Sequence, residues 1–267
     1  MWLPFGFVVA ALLSGASGNP GSQPLADYLE RAGLTWLALP DCGAERARCA
    51  AFEAQEGEGE GAVADRVRVV AGDVAELLTT GFPVPKPDGS AYRNDEPSPY
   101  ADDPTKARAG LLVMSLAFHE SRFRGYVAHC TDKAWRSSLE GKRLLRFGSC
   151  DSGRASTLWQ MHLGTGVVLG WEPGREWREV NIRAPFVGMR DDEIAYTDGW
   201  VQEDDFIAAA VALHMARASI RQTGSLRNYT GEWSGPASAA RAREDRALAY
   251  YRAHPFPGML AAEETTR

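Results

Sequence analysis

The sequence predicts a mainly α-helical protein with irregular connections and few or no strands. Three observations carry this expectation: apolar residues recur at helical spacing in several separated stretches, no run alternates apolar and polar as a half-buried strand would, and Gly- and Pro-rich segments part the helical stretches. The chain has 267 residues, 45% hydrophobic and 24% charged. That is ordinary globular composition, long enough to bury a core without help from a metal.

The opening MWLPFGFVVAALLSGASG has the pattern of a secretory signal over residues 1–18, with an apolar run from Trp2 to Leu13 and cleavage after Ala16 or Gly18. The run is short for a bilayer span, so no integral membrane segment is expected after cleavage. Residues 19–104 read as an N-terminal segment, with helical patterns at Leu25–Leu37 and Ala62–Leu78. EAQEGEGEGA between them reads as an exposed loop. Phe82 to Pro104 is rich in proline, which precludes a helix and predicts an extended connector over the surface. Thr105 is placed to cap the next helix, which runs to about Phe123. Cys130 to Cys150 reads as an inserted loop with one short helix, and Glu172 to Trp200 has no clean period. Glu203–Gln222 and Ala237–Arg252 close the helical set, leaving residues 254–267 as a tail.

Cys42, Cys49, Cys130 and Cys150 suit an exported protein with two disulfides, and four cysteines allow three connectivities. Cys42 with Cys49 and Cys130 with Cys150 is the favoured pairing, because each pair brackets a segment without a core pattern. A zinc site would need ligands from four separated segments, without close Cys-x-x-Cys pairs, so no metal is expected. The formal net charge of −6 argues against a nucleic-acid partner, although GKRLLRFG (Gly141 to Gly148) could form a local basic patch.

The chemistry centres on LLVMSLAFHESRFRG, Leu111 to Gly125. With Val113 at zero and about 100° per residue, Ala117 falls near 40°, Glu120 near −20°, Leu116 near −60° and Phe123 near −80°. Glu120 therefore stands inside the apolar arc. A carboxylate there must find hydrogen bonds or hold its proton. The local partner would be Arg124, four residues on. His119 points off the stripe and reads as a packed or surface residue. His119-Glu120 opens like a zinc-protease helix, but Phe123 stands where the second histidine is required.

Two further motifs follow in order: DSGRASTLWQMH (Asp151 to His162) and LRNYTGEW (Leu226 to Trp233). Together with FHESRF they resemble the lysozyme-like superfamily of lytic transglycosylases and goose-type lysozymes, over roughly Thr105 to Arg252. The resemblance implies a lysozyme-like catalytic domain over residues 105–253, acting on peptidoglycan glycan strands as an exported monomer in the periplasmic or extracellular part of a bacterial envelope. It makes Glu120 the general acid, with Ser121 in support, Gln160 lining the cleft and Tyr229 bonded to the catalytic carboxylate. Thr157 stands where the family usually has Gly, and Thr230 where it often has Asn.

A carboxyl that keeps its proton near neutrality can deliver it to a glycosidic oxygen. Most glycosidases also need a second carboxylate, for which Asp132, Glu140 and Asp151 are nearest in sequence. The resemblance implies another route, in which the sugar's N-acetyl group assists and its 6-hydroxyl attacks to give a 1,6-anhydro product. No cofactor is implied. The competing readings are a hydrolytic lysozyme or chitinase-like enzyme and a catalytically silent wall-binding module.

Overall fold

The computed structural model describes residues 21–38, 60–85, 91–98, 100–102, 105–125, 133–139, 141–142, 155–161, 201–202, 204–223 and 237–257. The signal segment, all four cysteines, Asp132, Glu140, Asp151, Tyr229 and Thr230 lie outside the described residues. Those described are mainly helical, with one two-stranded hairpin.

Helix α1 (Gln23–Leu37) has proline in its first turn, where a missing N–H leaves no helical bond unmade. Its buried residues Leu25, Tyr28, Leu29, Ala32, Gly33 and Trp36 recur at helical spacing, which is one apolar stripe. Helix α2 (Glu60–Thr79) buries Val63, Val67, Val70, Val74 and Leu78 in the same way. It starts inside the acidic stretch expected to be loop, and a negative first turn suits a helix N-terminus. The two stripes pack closely enough that a Cβ added at Gly33 would stand 2.6 Å from Val67 Cγ1.

The proline-rich connector does contain extended backbone, but it is paired rather than loose. Strands β1 (Gly81–Pro85) and β2 (Ala91–Pro97) form an antiparallel hairpin with Phe82 opposite Glu96 and Val84 opposite Tyr92. The register shifts between Phe82 and Val84, at Pro83, a residue with no N–H to give a ladder. Phe82 is fully buried and stacks on Tyr100 at 6.0 Å, so the segment is anchored in the core at its start.

Helix α3 (Lys106–Ser121) begins after Thr105, as expected, although the threonine side chain makes no capping bond. It ends at Ser121 because Arg122 takes a left-handed conformation. Ala107, Gly110, Leu111 and every residue from Val113 to Phe118 are buried, so the helix is covered around almost its whole circumference and forms the centre of the bundle. α1, α2, α5 (Asp205–Thr223) and α6 (Ala237–Ala253) all pack against it. Helix α4 (Lys133–Ser137) is a single short turn.

In α5, Phe206 through Leu213 are all buried. Asp204 caps its start, accepting from Phe206 N at 2.9 Å. α6 buries Ala240, Arg243, Ala247, Tyr250 and Tyr251. Tyr250 meets Tyr28 at 5.7 Å and Trp36 at 5.9 Å, while Tyr28 donates to His254 O at 2.8 Å. One core joins α1, α2, Phe82 of β1, α3, α5 and α6, and Phe256, in the expected tail, packs against it. No helix among the described residues is long and apolar enough to cross a membrane.

The α1–α2 contact predicts opposite outcomes for two glycines. Gly33→Ala forces a methyl into Val67 and Met114 and should destabilise by about 1–3 kcal/mol. Gly72→Ala meets nothing within 4 Å in α2 and should stabilise by about 0.5–1 kcal/mol. Urea denaturation of both variants checks the difference in sign.

Candidate functional site

The C-terminal end of α3 is where the sequence concentrated its chemistry, and the structure shows how it is built. Ser121 Oγ donates to Ala117 O at 3.0 Å, so its hydroxyl is spent on its own helix. Arg122 and Phe123 then take φ of 50° and 57°. Two consecutive left-handed residues without glycine cost on the order of 1 kcal/mol each. Burial of Phe123 and the bond from Arg66 Nη1 of α2 to Phe123 O at 2.7 Å hold this break in place.

Glu120 has an ion-pair partner, and it is not the residue four positions on. Arg243 Nη2 of α6 stands 2.6 Å from Glu120 Oε1, with the side chains only 10% and 17% exposed respectively. The same arginine's carbonyl accepts from Ser115 Oγ at 2.8 Å, so backbone and side chain of one residue both tie α6 to α3. Sequence reasoning missed Arg243. The signal was present: Arg243 lies on the stripe of Ala240, Ala247 and Tyr250, a charge out of place on an apolar face just as Glu120 is on α3.

Further arginines gather beside this pair. The guanidinium carbons of Arg122 and Arg246 lie 4.9 Å and 4.7 Å from the centre of the Phe118 ring, a cation–π arrangement. Phe118 is itself backed by Trp36 at 6.1 Å and Phe123 at 6.4 Å. Burial, then the positive charges of Arg122 and Arg243, pull the Arg246 pKa below its ordinary value.

Residues 155–161 of the second motif form a buried tight turn. Ser156 and Met161 exchange both backbone bonds, at 3.0 Å and 2.8 Å. Within the turn, Gln160 N and Gln160 Nε2 both donate to Thr157 O, at 3.0 Å and 3.1 Å, and Trp159 N donates to Thr157 Oγ1 at 3.3 Å. Residues 155–161 are all buried, so these internal bonds replace water for a loop that would normally lie outside. Gln160, expected to line a cleft, is 6% exposed and directs its amide nitrogen into the turn.

Thr157 has φ 66° and Gln160 φ 51°. At Thr157 the backbone thus keeps the left-handed conformation that favours glycine, while carrying a β-branched side chain. Trp159 Nε1 donates to Val113 O of α3 at 3.0 Å. Val113 is two helical turns before Glu120 on the same face, about 10 Å along the axis. The bond thus joins the helix that ends in the first motif to the turn of the second. All four described non-glycine residues at positive φ (Arg122, Phe123, Thr157 and Gln160) lie in these two segments. Strain of this kind collects where function requires a fixed geometry.

No family model matches the chain, and no curated protein or solved structure matches it either.

In a double-mutant cycle, Glu120→Gln and Arg243→Gln should show a coupling of about 1–3 kcal/mol, measured by denaturation; independent effects would mean that the pair contributes nothing. Thr157→Gly should be neutral or stabilising by up to about 1 kcal/mol, because relief of the left-handed strain offsets the lost Oγ1 contact. Thr157→Val, which keeps the β-branch and loses that contact, should unfold at lower urea than the parent.

Proposed function

We propose that this protein is an exported lysozyme-like enzyme that cleaves the β-1,4 bond between N-acetylmuramic acid and N-acetylglucosamine in peptidoglycan, with Glu120 as general acid and then base. The observation that carries the reading is the junction of α3 with the second motif. A buried helix ends in Glu120-Ser121 at a strained break, and Trp159 fastens the Thr157–Gln160 turn to the face of α3 that bears Glu120.

In this reading Glu120 passes its proton to the glycosidic oxygen as the C1–O bond breaks, and the sugar's N-acetyl oxygen closes on C1. The Glu120 carboxylate then takes the proton of the 6-hydroxyl as that oxygen bonds to C1 and displaces the acetamido oxygen. The product is the 1,6-anhydro sugar, and Glu120 is again protonated. Arg243 covers the carboxylate in the structure, so this pair has to open before a glycosidic oxygen can reach Glu120.

That same closed pair favours a second reading, a catalytically silent module of this fold that binds wall glycan. Digestion of purified peptidoglycan, with products read by mass, separates the two. Active parent protein should release anhydro-muropeptides, and Glu120→Gln should lower the rate by about 10²–10⁴-fold while still sedimenting with the glycan. Reducing-end products without anhydro sugar would make the enzyme a hydrolase. Binding without cleavage by the parent would leave the silent module, and equal cleavage by parent and variant would remove Glu120 from the chemistry.

A further inference from the structure

One residue of α6 makes two contacts with α3 that differ in kind. The Arg243 carbonyl accepts from Ser115 Oγ at 2.8 Å, and both residues are buried. That bond belongs to the backbone, so it holds the Cα of Arg243 whatever the side chain does. The second contact lies at the far end of the side chain, where Nη2 stands 2.6 Å from Glu120 Oε1. Several rotatable bonds separate the two.

The pair is close without being directional. Glu120 Oε1 is buried and makes no aligned hydrogen bond among the described residues. Glu120 also stands in the last turn of α3, the negative end of the helix dipole, where a carboxylate is disfavoured. A carboxylate seated this way needs a countercharge. It is not locked to it, because a buried ion pair repays its desolvation only with good geometry and further hydrogen bonds.

We infer that Arg243 is a side-chain latch over Glu120: it swings off the carboxylate while its backbone, anchored at Ser115, keeps α6 docked on α3. Movement of one side chain exposes little surface. Undocking of α6 would instead expose the buried Ala240, Ala247, Tyr250 and Tyr251. The latch thus uncovers the carboxylate on a fixed frame of helices. On the glycan-cleaving reading, on which only this last step rests, the open form receives the glycosidic oxygen and substrate binding carries the cost of opening.

The test labels Glu120 in the full chain by amidation with glycinamide and a water-soluble carbodiimide. Mass analysis of the peptide that carries Glu120 gives the rate, normalised to Asp65, whose side chain is 71% exposed. Arg243→Met keeps most of the stem without the charge and should label Glu120 about tenfold faster than the parent. Arg243→Lys should recover part of the protection, and circular dichroism checks that both variants fold. Labelling of Arg243→Met at the parental rate overturns the latch.

A second measurement needs only the parent, in sub-denaturing urea. Urea sensitivity scales with the surface exposed by an opening, so a side-chain swing predicts a normalised rate that stays flat. A rate that climbs with urea means that α6 has to undock, and overturns the latch. Ser115→Ala should turn the flat line into a rising one; a line that stays flat removes Ser115 as the anchor. On peptidoglycan, Arg243→Met should lower KM by about the factor by which it speeds labelling. The two readings fail separately. Faster labelling of Arg243→Met without any glycan cleavage keeps the latch and removes the reaction, whereas cleavage with parental labelling does the reverse.

Discussion

The near-complete burial of α3 is the constraint from which the other features follow. A helix covered on nearly every side has no water to satisfy a side chain that departs from apolar character. Three of its polar side chains are met from within the protein. Ser115 reaches the Arg243 carbonyl, Ser121 turns back to Ala117 O, and Glu120 meets the Arg243 guanidinium. Even a helix carbonyl, that of Val113, receives an outside donor from Trp159. These contacts draw α6 and the buried turn onto one helix and give the end of α3 its shape.

The site that results is crowded and unevenly charged. Phe118 stands at its centre, with Trp36 and Phe123 beside it and two guanidinium groups over its ring. The aromatic cluster ties the position of the charges to the packing of α1, because Trp36 also meets Tyr250 of α6. Electrostatics and core packing cannot be changed independently here. A substitution at Phe118 would alter both the hydrophobic contact between helices and the seat of the arginines.

Much of the helical fold was legible in the sequence because it rests on periodicity. α1 and α2 lie within two residues of the expected spans, and α6 extends one residue beyond. The hairpin was not legible, because proline in Phe82–Pro104 argues against a helix without revealing that two extended segments pair. Glu120 stands out as a charge on an apolar stripe, but local spacing points to a partner four residues away. Pairing across helices depends on tertiary packing, which local spacing does not encode. The left-handed backbone at Thr157 was equally hidden, since a β-branched residue is among the last that such a conformation would suggest.

Arg243 also bears on how the chain acquires its structure. Its carbonyl bond to Ser115 spans 128 residues, so it can form only when a long intervening loop has closed. Loop-closure entropy rises slowly with length, yet it must be met before such a contact returns any stabilisation. Helices α1 and α2 are near neighbours in the chain and can associate early. The docking of α6 is the less local event, and until it occurs Glu120 stands at the end of a greasy helix without its countercharge. Glu120 and Ser115 thus both depend on one residue of a helix distant in sequence, and the docking of α6 encloses the carboxylate together with its partner.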